Sequence, residues 1–112
     1  MTSEAVAMND LLTEADFEAW FATKRDDEIV GQPGSGSNCP IAVCLRECGA
    51  PYPVVMGTFW AADAEAGFEN APAWVELAVF QFDYFPDGHD ITAAEARERW
   101  AIVQRGDWWY EP

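Results

Sequence analysis

Apolar positions recur at helical spacing in four stretches of the chain, and the longest, from Asn70 to Phe85, is followed by an acidic turn and a second capped helix that together fill residues 70–103. Read as a helix opening at Asn70 with Pro72 in its first turn, this stretch places Trp74, Leu77, Ala78, Gln81, Phe82 and Phe85 on one face. That is the i, i+3, i+4, i+7, i+8 pattern of a buried stripe. Only Glu76 and Asp83 carry charge before Pro86, so the helix is apolar nearly all round. Such a helix is either central to a core or half of an interface. The alternation Phe80-Gln81-Phe82-Asp83-Tyr84, rich in β-favouring aromatics, leaves a strand reading open beside it.

Two further helices announce themselves by their caps. Thr92-Ala93-Ala94-Glu95 is a capping box, in which the Thr and Glu side chains satisfy each other's backbone N–H groups, and it predicts a helix from about Thr92 to Gln104, ended by Gly106. Its inward positions are Ala96, Trp100 and Val103. Thr13 with Asp16 forms a similar box, and Leu12 with Phe17 can staple across it. The resulting helix turns Phe17, Trp20 and Phe21 inward and leaves Glu14 and Glu18 on its wet side, with Lys24-Arg25 at the negative helix end. Between these, Ser37 or Asn38 is expected to cap a helix with Pro40 in its first turn and Gly49 past its end. Its apolar stripe is Ile41, Cys44, Leu45 and Cys48.

The strand signals are shorter. Glu28-Ile29-Val30-Gly31 and Asp107-Trp108-Trp109-Tyr110 are short candidates, and Val54 to Trp60 reads as one strand in which Gly57 marks a bulge or a close approach. The stretch 31–37, rich in Gly and Ser, reads as the most mobile internal connector, and 61–70 as an acidic loop. These elements predict an α+β fold, with about four helices on one face of a two- or three-stranded sheet built from parts of 28–31, 53–60 and 107–110. Residues 1–10 read as a flexible N-terminal tail and 11–112 as a single domain.

Six tryptophans and an aromatic content of 14% argue against disorder, and no apolar run approaches the roughly eighteen residues that cross a membrane. The first residues carry Glu4 and no basic side chain, which points away from a secretory or transit leader and towards a cytoplasmic protein. Charge changes the picture most. The net charge of −14 is divided as eight acids against two bases in residues 1–31, one against one in 32–62, and eleven against three in 63–112. Two acidic outer thirds flank a neutral middle. Repulsion disfavours direct binding to nucleic acid or an anionic membrane, and long-range attraction favours basic protein surfaces. Plain solubility, or adaptation to a salty cytoplasm, explains the same charge.

Catalytic motifs are missing from the sequence. Gly36 is followed by Ser37-Asn38-Cys39 without the lysine of a phosphate-binding loop. Cys39, Cys44 and Cys48 lack the paired spacing of zinc knuckles, and with the lone His89 they read as buried reduced thiols beside a solvated histidine, a zinc site or a reactive thiol being the alternatives. Asp87 and Asp90 lack the ligand spacing of an EF-hand. No serine sits in a nucleophile elbow, and neither a paired-histidine motif nor a redox Cys-x-x-Cys is present. The expectation is a non-enzyme without cofactor or metal.

Through Cys39-Pro40-Ile41-Ala42, Leu45-Arg46-Glu47-x-Gly49, Pro72-Ala73-Trp74 and Ile91-Thr92-Ala93-Ala94-Glu95-Ala96, the chain resembles small acidic bacterial and phage-type proteins of unassigned function. The resemblance consists of capping and packing signals. It implies helix boundaries and transfers no catalytic residue.

Two functions fit. One is a protein-binding inhibitor that imitates the phosphates of a nucleic acid and occupies the basic groove of a nuclease or other defence protein, by analogy with anti-restriction and anti-CRISPR proteins. Glu14 and Glu18, about 6 Å apart on one helix face, match the order of phosphate spacing along a strand. Asp83, Asp87, Asp90, Glu95 and Glu98 extend that surface, and Trp108 and Trp109 are candidate aromatic anchors. The other is an accessory or assembly subunit that binds through apolar surface, with charge serving solubility. The oligomeric state is not set by the sequence.

Overall fold

In the computed structural model, which describes residues 11–105, the chain follows an α+β order. Helix α1 (Glu14–Ala22) leads to strand β1 (Ile29–Gly31) and helix α2 (Pro40–Glu47). Strands β2 (Val54–Val55), β3 (Phe59–Ala61) and β4 (Glu69–Asn70) follow, then helix α3 (Ala73–Phe82), strand β5 (Ile91–Thr92) and helix α4 (Ala93–Arg105). The flexible tail expected at 1–10, the helix stop at Gly106 and the strand expected at 107–110 lie outside the described residues.

Both capping boxes form. Thr13 Oγ1 accepts from the Asp16 N–H at 3.1 Å while Asp16 accepts from the Thr13 N–H, and Leu12 and Phe17 are both buried beneath the cap. Thr92 and Glu95 repeat the exchange at 3.2 and 3.0 Å. Local chemistry therefore sets where α1 and α4 begin, and their buried residues follow the expected stripes: Phe17 and Phe21 in α1, and Ala96, Trp100 and Val103 in α4. Trp20 remains half-buried, because its indole N–H reaches outward to Glu47 Oε1 at 2.8 Å.

The sheet differs from expectation. Two antiparallel sheets form among the described residues, β1 with β5 and β2-β3-β4. Val54 to Trp60 is a hairpin rather than one strand, since Gly57 at φ 84° turns the chain back so that Val55 pairs with Trp60. The acidic stretch after it supplies β4, whose Glu69 pairs with Trp60. Ile91–Thr92 supplies the partner that β1 needs.

Three helix details also shift. α3 opens at Ala73 with Pro72 as its cap, and Asn70 belongs to β4. Its buried face is Val75, Ala78, Gln81 and Phe82, with Trp74, Leu77 and Phe85 at the margin. α2 has Cys39 as its N-cap in place of Ser37 or Asn38, without a side-chain capping bond; Pro40 at the first position removes an N–H that would otherwise need an acceptor. Cys48, expected on the buried stripe of α2, follows the helix end and is exposed.

The core is held by aromatic packing. Phe17, fully buried, has ring centroids of Phe21, Trp100, Trp74, Trp20 and Phe82 between 5.0 and 6.3 Å from its own. These rings come from α1, α3 and α4, so one side chain couples three helices. Truncating Phe17→Ala leaves a cavity at their junction and is expected to cost about 3–5 kcal/mol, read as a lowered midpoint in denaturant titration.

Candidate functional site

The glycine-rich connector and the acidic turn after α3 form one surface. Gly31 at its start packs so closely on the entry to α2 that a Cβ there would lie 2.7 Å from Asn38 O and Pro40 N. The Gln32 N–H donates to Asn38 O at 2.8 Å, and the Val55 N–H donates to Gly36 O at 2.7 Å. The Gly34 N–H donates to Asp83 Oδ1 at 2.9 Å, and Gln32 Nε2 donates to Asp90 Oδ1 at 2.9 Å. A stretch read from composition as the most mobile connector is thus tied at both ends and in the middle. The reason lies in partners 49 and 58 residues away.

Asp83, Asp87 and Asp90 are brought together by this arrangement. Asp83 closes α3 as its C-cap, and Asp87 stands so near Gly34 that a Cβ there would meet Asp87 Oδ1 at 2.7 Å. All three remain exposed.

His89, expected in solvent, is instead half-covered. Its ring stacks on Phe85 with centroids 4.9 Å apart, and Nε2 lies 2.9 Å from Glu95 Oε1. Glu95 Oε1 is also the acceptor for the Thr92 N–H. The Thr92 N–H bond, then the His89 contact, hold the Glu95 carboxyl below the usual glutamate range. Glu95 is therefore engaged both in capping α4 and in holding the turn.

The remaining predicted residues are placed as follows. Glu14 and Glu18 lie exposed on α1, and Glu98 lies exposed on α4. No hydrogen bond or ion pair among the described residues joins them to the turn. Trp108 and Trp109 lie outside the described residues. The residues that the sequence pattern did not flag are Gln32 and Gly34, whose bonds organise the turn, together with the exposed Phe80 and Tyr84.

The cations are placed unevenly. Lys24 lies 3.0 Å from Glu47 and 3.8 Å from Glu28, Arg25 lies 3.3 Å from Asp27, and Arg97 lies 2.7 Å from Asp26. Arg97 also donates to the Phe21 and Lys24 carbonyls, which ties α4 to the end of α1. Arg46 donates to Ser37 O and Asn38. Arg99 donates to Gln81 and lies over the Tyr84 ring at 3.9 Å. Among the described residues, no salt bridge reaches Glu14, Glu18, Glu76, Asp83, Asp87, Asp90 or Glu98.

No group of three or more His, Cys, Asp or Glu side chains is arranged to hold a metal ion among the described residues. Burial pushes the Cys39 thiol up to about 11 and raises Cys44 further, so both are poor nucleophiles. Among the described residues, no helix is long and apolar enough to cross a membrane.

Two measurements check this layout. A thiol reagent is expected to label Cys48 alone in the native protein, and Cys39 and Cys44 only after unfolding, read by mass spectrometry of digested protein. A carboxyl held low when folded contributes stability that is present above its unfolded pKa and lost as pH falls through the folded value. Thermal melts of the native chain are therefore expected to decline below the ordinary glutamate range. Glu95→Gln, which keeps a capping oxygen but cannot titrate, is expected to decline less steeply.

No protein-family model, no curated protein and no solved structure matches this chain.

Proposed function

We propose that this chain is a non-catalytic acidic protein that binds the basic surface of a protein partner, its carboxylates standing where nucleic-acid phosphates would otherwise lie. The observation that carries the reading is the division of charge just described. Lys24, Arg25 and Arg97 are engaged by neighbouring acids, while Glu14, Glu18, Glu76, Asp83, Asp87 and Glu98 are exposed and take part in no salt bridge among the described residues. Unpaired like charges on a body with a net charge of −14 repel one another in the free protein. A cationic groove relieves that repulsion, steers the encounter and selects against anionic partners. A nuclease or other defence protein that grips nucleic acid is the partner class this predicts, in the manner of anti-restriction and anti-CRISPR proteins. The turn acids Asp83, Asp87 and Asp90 contribute as one cluster, and Glu14 with Glu18 as another.

A second reading has its own observation. Phe80 and Tyr84 are 60% and 66% exposed, which suits an accessory subunit that docks through apolar contact. Salt separates the two. In a panel of purified nucleases and nucleic-acid-guided effectors, inhibition by charge imitation is expected to be relieved by added DNA and to weaken steeply as salt rises. Inhibition that held or tightened in high salt would reject imitation and favour the apolar contact.

A further inference from the structure

α3 is apolar on nearly every side, yet the fold covers only part of it. Val75, Ala78 and Phe82 face the core, whereas Glu76 and Phe80 lie one turn apart on the outer row, continued by Asp83 and Tyr84. Beside this row, between α3 and residues 34–36, is a notch of about 200 Å³, room for one long side chain. Val55, Met56 and Val79 line it, and Asp83 is its charged member. The Gly34 N–H holds Asp83 Oδ1 at 2.9 Å, which fixes the carboxylate in place and leaves Oδ2 without a hydrogen bond among the described residues.

An apolar slot ending on a fixed carboxylate is complementary to a side chain with an aliphatic stem and a cationic head. The outer row repeats that chemistry, since exposed rings alternate with acids that no salt bridge engages among the described residues. Tyr84 already takes one guanidinium on its ring, that of Arg99 at 3.9 Å. A second copy of this chain is a poor occupant, because it would set Glu76, Asp83 and Asp87 against their own like charges.

We infer that the outer row of α3 and the adjoining notch form a docking face for a basic amphipathic segment of a partner protein, with one arginine or lysine laid in the notch against Asp83 and an apolar neighbour on Phe80. This rests on the reading of the chain as a binder of basic protein surfaces. It adds which face binds and what the partner presents.

The test uses a synthetic helical peptide with arginine and leucine on one face, titrated by calorimetry into the full chain at low salt. Phe80→Ala changes an exposed side chain and leaves the core intact, and it is expected to weaken binding about tenfold. Val79→Phe, which fills the notch, is expected to weaken it by a similar factor, about tenfold. Circular dichroism melts confirm that each variant folds. Glu65→Gln, an exposed carboxylate between β3 and β4 that belongs to neither acidic cluster, is expected to change affinity by no more than about twofold, the scale of exposed charge contacts, whereas Asp83→Asn is expected to weaken it about tenfold. Loss of affinity spread equally over every carboxylate variant, with Phe80→Ala unchanged, would overturn the docking face and keep the charge reading. A dimer in sedimentation that Phe80→Ala dissolves would assign the face to a second copy and overturn the inference. Failure of the peptide to bind at low salt would remove the charge reading and this inference with it.

Discussion

Ring packing around Phe17 is the interaction on which the rest depends. A chain with twenty acids and six bases works against its own compaction, because every step that draws the carboxylates together raises their mutual repulsion. Apolar burial is indifferent to that sign, and aromatic side chains supply more of it per residue than any others. Phe17, Trp74, Phe82 and Trp100 join α1, α3 and α4 at centroid distances that favour offset and edge-to-face contact. Stability thus comes from inside, and the surface is free to carry charge that does nothing for the fold.

That inner junction also decides which ionic contacts are structural. Phe17 lies directly after the Thr13 capping box, so the box sets the angle at which α1 enters the core. The far end of α1 is then brought beside α2 and α4, where Lys24 meets Glu47 and Arg97 meets Asp26 and the last carbonyls of the helix. Each such pair contributes little alone at an exposed position. Together they place cations at the helix junctions, and the acids left over include those on α1, on the outer row of α3, on the turn that follows it and, at Glu98, on α4.

What could be read from the sequence divides by distance along the chain. The boxes at Thr13 and Thr92 were legible because both partners lie three residues apart. The fold class followed from them and from the stripes they introduce. The hairpin at Gly57 was not legible, since residues on both sides favour strands and only the backbone turn separates them. β5 escaped notice because Ile91–Thr92 is two residues long and runs straight into α4. The buried face of α3 was only partly readable: a helix apolar all round has no preferred side until its neighbours choose one, and here Val75 is fully buried while Trp74 packs on the core from its margin. The candidate site shows the same limit. The acids of the turn were visible as turn chemistry, but Gln32 and Gly34, which hold them in place, are remote in sequence and unremarkable in type.

Selectivity is the reason the rings and the acids of α3 belong in one argument. Carboxylates alone attract any cation, and their attraction falls within a Debye length of about 8 Å at physiological salt. Exposed rings alone invite self-association. Interleaved along one helix row, each would limit the other in the proposed docking: the acids would keep like faces apart, and the exposed Phe80 and Tyr84 would reward a cationic partner that also brings apolar surface. In that proposal Asp83, held by the Gly34 N–H, would set where along the row a positive charge arrives. A flexible carboxylate at the same place would have to be ordered on binding, and that entropy would be subtracted from the affinity.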